Sequence, residues 1–204
     1  MDNTPRETPL NNWAASRSAC ALNSGMSCVV ILLVLVVFSA CPVSTADAAG
    51  VEAKVKSAYL YNLLRRTTWP ESTFKNEESP YLVTVLGQDN LEGLLDKIAS
   101  KKKVNKRAIK LIRIKSIKDL QPCHMLYVPN YLTPEQQQAI LKKTAGTPCL
   151  VVGDSPGFAR AGATANFVDR EDGTVGIVLN VAQARKHHLK FDRQLLEVAE
   201  ATSE

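Results

Sequence analysis

The chain has few of the side chains that carry most enzyme chemistry. Its 204 residues include 3 histidines and 5 cysteines, and Cys20, Cys28 and Cys41 fall early in the chain. The other two, Cys123 and Cys149, lack the number and spacing of a zinc site. No G-x-G-x-x-G opens a helix and no G-x-x-x-x-G-K-S/T occurs, so neither phosphate-cradling loop is present. The G-x-S-x-G nucleophile elbow is also missing. Cys123 and His124 are adjacent, but neighbouring residues of a strand point to opposite faces, so they make a poor nucleophile–base pair. His187 and His188 close a helix, where positive character suits the macrodipole. These absences argue against an enzyme and against a bound cofactor or metal. No repeat or low-complexity tract appears.

The continuous apolar run at 29–38 is shorter than the roughly 20 residues that a transmembrane helix needs, and a retained anchor is the alternative if the stretch extends on both sides. The run at 29–38 is ten residues of Val, Ile, Leu and Phe, followed by the small-x-small pattern Ala46-Asp47-Ala48. This predicts a signal peptide over 1–48, cleaved after Ala48, and a mature domain over 49–204. A second pattern, Ser39-Ala40-Cys41, resembles a lipoprotein signal with lipidation at Cys41. Export also places Cys123 and Cys149 in an oxidising compartment, which invites one disulfide between them.

The mature chain keeps 23 of the 25 Lys+Arg and 17 of the 20 Asp+Glu, a net charge of 23 − 17 = +6. Lys101, Lys102, Lys103, Lys106, Arg107, Lys110, Arg113 and Lys115 supply much of the excess. Ile109, Leu111, Ile112 and Ile114 interleave with these charges, which suits the wet face of an edge strand better than a surface for nucleic acid, anionic lipid or acidic glycan.

Hydrophobic periodicity then organises the rest. An amphipathic helix is expected over 50–66, with Val51, Val55, Ala58, Leu60, Tyr61 and Leu64 recurring at helical spacing. Strands are expected at 81–86, 108–114, 123–128 and 149–152, and a hairpin at 164–168 and 174–179 around Asp172-Gly173. Asp89 or Asn90 can cap a helix carrying Leu91, Leu94, Leu95 and Ile98. Thr133-Pro134-Glu135-Gln136 reads as a capping box, Asn180 as a cap, and a last helix near Asp192 is expected to bury Leu195, Leu196 and Ala199. Alternating strand and helix predict an α/β fold: a mainly parallel sheet with an antiparallel edge hairpin and helices on both faces.

The segment Gly153-Asp154-Ser155-Pro156-Gly157-Phe158 follows an apolar strand, at the place where α/β sheets dock ligands and partners. Asp154 is the leading polar candidate, with a helix cap as its alternative role. Arg160 is either an anion contact or a solvated cation. Phe158, Asn166 and Phe167 are candidates for a partner surface; core packing is the favoured alternative for the two phenylalanines, and a side-chain-to-backbone bond that holds a turn is the alternative for Asn166.

With these residues in hand, the chain resembles the YfiR-like family of small exported regulators over about 53–200. The marks are Ala58-Tyr59-Leu60-Tyr61-Asn62, Trp69-Pro70, Val85-Leu86-Gly87 and Cys123-His124-Met125-Leu126-Tyr127. They continue with the Gly153 to Phe158 segment, Gly162, Asn166-Phe167-Val168, Asn180, Ala184 and Leu195-Leu196. The resemblance implies a Rossmann-like α/β sandwich in the periplasm, often dimeric. It implies a non-catalytic role, restraining the periplasmic sensor domain of an inner-membrane diguanylate cyclase. The alternative is a small-ligand-binding module serving a sensor kinase or an outer-membrane receptor.

Overall fold

A computed structural model describes residues 45–201. The apolar run at 29–38 and Cys41 lie outside the described residues. The first helix, α1 (Thr45–Arg66), starts earlier than the periodicity suggests, so the expected cleavage point after Ala48 falls within its first turns. Its buried face runs through Ala53, Lys56, Ser57, Leu60, Leu63 and Leu64. That spacing is helical, but the stripe is rotated from the expected one. Val51 and Ala58 lie outside, and two polar residues, Lys56 and Ser57, lie inside.

After α1 come β1 (Thr67–Thr68), β2 (Tyr81–Leu86), α2 (Leu94–Lys101), β3 (Lys103–Val104), β4 (Arg107–Ile114) and β5 (Met125–Val128). Then follow α3 (Pro134–Thr144), β6 (Leu150–Gly153), α4 (Phe158–Ala161), β7 (Ala165–Asp169) and β8 (Val175–Leu179). The described chain ends with α5 (Val181–Lys186), β9 (Lys190–Phe191), α6 (Arg193–Val198) and β10 (Glu200–Ala201). Local chemistry explains several boundaries. Thr133 and Gln136 form the expected capping box before Pro134, which starts α3. The side chains of Asn180 and Asp192 accept the Gln183 and Leu195 amides, capping α5 and α6. Before α2, Asp89 does not cap the helix; its carboxylate accepts the Leu91 amide at 3.0 Å, and the helix begins after Gly93, at φ 68°.

The main sheet has the order β10-β8-β7-β6-β5-β2-β4-β3. It is parallel from β7 to β4, and β7–β8 form the antiparallel hairpin. This is the α/β architecture expected from the alternation. Two cores cover the two faces. One gathers Leu60, Leu63, Val83, Tyr127, Val152 and Phe167. The other gathers Leu86, Leu126, Val128, Ile140, Val151 and Phe158. Leu195 is buried as expected, whereas Leu196 is 41% exposed.

A separate ribbon pairs β1 with β9 through Thr67↔Phe191 and Thr68↔Lys190. Beside it the Asp192 amide donates to the Arg66 carbonyl at 2.9 Å, and Arg66 Nη1 lies 2.8 Å from Asp192 Oδ2.

Candidate functional site

Strand β2 has β5 on one side and β4 on the other, so chain progression reverses there. The crevice beyond the carboxyl ends of β2 and β5 is where such sheets bind ligands. Here the chain's own side chains occupy that end of the sheet. The Gln88 amide donates to Tyr131 Oη at 2.9 Å. A Cβ added at Gly87, whose φ is +74°, would stand 1.8 Å from that oxygen. The phenol therefore sits directly on the backbone at the end of β2.

Asp154 follows β6 and is buried. Its Oδ1 lies 2.6 Å from Lys56 Nζ, and the two side chains are only 3% and 4% exposed. Lys56 also pairs with Glu52 one turn back on α1 and stands 5.8 Å from the centre of the Phe167 ring. The Tyr127 hydroxyl donates to Asp154 Oδ2 at 3.2 Å and lies 3.3 Å from Asn90 Oδ1. Burial opposes charge on both members of the pair. On Lys56 the bonds to Asp154 and Glu52 outweigh burial, and the ammonium pKa rises. Asp154 has one cation and the Glu52 charge nearby, and burial leaves its carboxyl above the usual value. Burial, then the Asp154 charge, pushes the Tyr127 phenol up.

The structure separates the residues that the sequence grouped. Asp154 is at the strand end as expected, but its carboxylate is held by Lys56 and Tyr127 rather than open to a ligand. Phe158 is 1% exposed and lies over Gly153, where an added Cβ would come within 2.0 Å of its ring. Phe167 is 3% exposed and packs near Tyr59 and Tyr127. Asn166 is 1% exposed; its amide donates to the Phe167 carbonyl at 2.8 Å, and its Oδ1 has no partner among the described residues. Phe158, Asn166 and Phe167 therefore belong to the interior, which corrects their reading as a partner surface and agrees with the alternatives, core packing for the phenylalanines and a side-chain-to-backbone bond for Asn166. Arg160 alone of the group is exposed, with Pro156, Gly157 and Ala161 beside it. Glu52, Lys56, Asn90 and Tyr127 were not anticipated. Lys56 could have been found, because it falls three residues after Ala53 and four before Leu60 on the buried stripe.

The opposite end of the sheet holds a cavity of about 690 Å³, whose lining includes Leu82, Cys123, His124, Lys143, Thr144 and Cys149. The thiols of Cys123 and Cys149 are both free and stand 3.6 Å apart. The Cys149 contact lowers the Cys123 thiol pKa against the effect of burial. His124 accepts the Leu82 amide on Nδ1 at 2.9 Å, and its buried Nε2 has no partner among the described residues. Its ring stacks on Phe74 at 4.5 Å. Burial, then the Arg107 charge, lowers its pKa to about 4, so it is neutral at ordinary pH. No group of three or more metal-ligating side chains occurs among the described residues.

No curated relative matches the chain at a significant level. Residues 53–200, which include nearly all of the main sheet, match the YfiR/HmsC-like family. The chain is a member of the YfiR/HmsC-like family.

Proposed function

We propose that this protein is an exported, non-enzymatic regulator. It represses an inner-membrane diguanylate cyclase by binding its periplasmic sensor region, which lowers cyclic-di-GMP and biofilm formation. The observation that carries this reading is the family match over 53–200. The geometry agrees with a role exerted from the surface. At the strand ends, Asp154 is held by Lys56 and Tyr127, and Tyr131 sits on Gly87. The exposed turn around Arg160 is the part of the expected site left for a partner. Repression follows if the protein binds the inactive sensor conformation better than the active one. Moving a sensor from almost fully active to almost fully inactive takes a preference of roughly 10⁴-fold.

Deleting the gene should raise cyclic-di-GMP, and restoring the exported protein should lower it. Arg160→Glu should keep the fold, since surface substitutions cost within about 0.5 kcal/mol, and should weaken repression. Unchanged cyclic-di-GMP and attachment after deletion rule out the cyclase as the target. N-terminal sequencing of the exported protein should begin at Ala49; an acylated Cys41 or a retained 29–38 segment contradicts that processing.

The cavity of about 690 Å³ favours a second reading, a small-ligand module serving a sensor kinase or an outer-membrane receptor. A small molecule retained through native purification, and lost when Thr144→Phe fills the cavity, supports that reading.

A further inference from the structure

The expectation of a basic edge strand is met in an unusual way. Strand β4 is next to last in the sheet, but β3 pairs with it only at Lys103↔Ala108 and Val104↔Arg107. The two are joined through Asn105 and Lys106, both at positive φ, 48° and 67°. Among the described residues no strand lies outside β4 beyond Ala108. Among the described residues, the backbone of 109–113 pairs only with β2. On that inner side the register is unbroken from Tyr81↔Ile109 to Leu86↔Ile114. At about 3.3 Å per residue, the open edge is roughly 20 Å long.

Exposed edges are commonly guarded by shortness, a bulge, a proline or charge. Here only charge is present. Half-buried Leu111, Ile112 and Ile114 border the edge, with exposed Lys110 among them. Lys103 and Lys106 stand at its start and Lys115 at its end, all exposed. Among the described residues none of these lysines has an acidic partner. Arg113 differs, being held by Asp89 and Asp96.

We propose that this edge accepts an extended acidic segment of a protein partner as an added strand. The unpaired main-chain groups supply the bonding, and the lysines select the occupant. A second copy of the chain would bring an edge with the same lysines, and like charges placed opposite each other on paired strands repel. An acidic strand meets no such penalty. The inference goes beyond the cyclase reading and does not depend on which sensor the protein serves.

The test uses a fluorescent eight-residue peptide of alternating glutamate and threonine, titrated into the protein at low salt. The same peptide N-methylated at alternate residues removes the strand-forming amides and keeps the charge. A lysine–threonine peptide reverses the charge. The acidic peptide should bind, the N-methylated form at least tenfold more weakly, and the lysine peptide not measurably. Hydrogen exchange should slow at 109–114 in the complex. The paired variant Lys103→Glu and Lys110→Glu, checked for native circular dichroism, should weaken binding at least tenfold. Absence of binding, equal binding of the N-methylated peptide, or protection elsewhere overturns the proposal. Self-association in sedimentation that the paired variant alters assigns the edge to a second copy instead, and also overturns it.

Discussion

Replacing Asp154 with Asn should destabilise the fold by about 3 kcal/mol, through a charge stranded on the far side of the contact. Breaking a buried ion pair typically costs about 3–5 kcal/mol, because the surviving ion stays out of water without its partner. Lys56 and Asp154 meet that condition, with side chains 4% and 3% exposed and a contact of 2.6 Å. The loss should sit at the low end of the range, because Glu52 remains paired with Lys56. For a domain of this size, about 3 kcal/mol corresponds to a fall of roughly 6–12 °C in Tm. Urea unfolding of Asp154→Asn, Lys56→Met and the double variant supplies a cycle. Removing both charges should recover about 2 kcal/mol relative to the summed single losses. In Lys56→Met the buried Asp154 carboxyl lacks its cation, so its pKa rises further above the unfolded value. The folded state then holds a proton that the unfolded state releases, so this variant should regain stability as pH falls from 7 towards the unfolded carboxylate range. Single losses below about 1 kcal/mol, or losses that simply add, would refute the reasoning.

His124 sets a second pH dependence. Its folded pKa of about 4 lies below the ordinary 6.5, so the unfolded state binds the proton first. Stability present above pH 6.5 should fall by roughly 3 kcal/mol towards pH 4, and His124→Asn should flatten that slope in urea melts. Burial lowers His187 too, which adds to the slope in the same direction. We further propose that Cys123 and Cys149, 26 residues apart in the chain, form a disulfide in the exported protein. Closing that loop should add about 3–4 kcal/mol in the chain-entropy account, and two free thiols by non-reducing mass analysis of periplasmic material would sink the idea. Gly153→Ala should cost about 3 kcal/mol, because the new methyl meets the buried Phe158 ring at 2.0 Å. Thermal melts should show part of that loss restored by adding Phe158→Leu; equal losses in both backgrounds would contradict the clash.

The elements that local chemistry specifies were legible in the sequence. Strand 81–86 is found at Tyr81–Leu86, and the Thr133 capping box and the Asn180 and Asp192 caps appear as expected. Each depends on a few neighbouring residues. The two-residue strands β1, β9 and β10 were not foreseen, because their partners lie outside any short window; β3 pairs with the adjacent start of β4, and its lysine-rich sequence carries no strand pattern. The site suffered most from the same limit. For Phe158 and Phe167 the sequence offered a partner surface or core packing, and the packing that decides it is not local: Gly153 opens a slot for one ring, and Tyr59 and Tyr127 pack near the other. Lys56 was passed over because a lysine normally marks the wet face of a helix. Its burial makes sense only once β6 brings Asp154 beneath α1.

The β1–β9 ribbon bears on the order in which the chain assembles. Thr67 and Thr68 leave α1 early in synthesis, but they wait for Lys190 and Phe191. The Arg66–Asp192 contact likewise closes a separation of 126 residues. Until that distal segment arrives, the carboxyl end of α1 lacks the ribbon and the Arg66–Asp192 contact, although Lys56 and the apolar stripe can already meet Asp154 and the parallel strands. Loops this long close slowly relative to local helices. A chain truncated before Lys190 should therefore keep α1 on the sheet but fray at its carboxyl end, read as faster hydrogen exchange near Arg66.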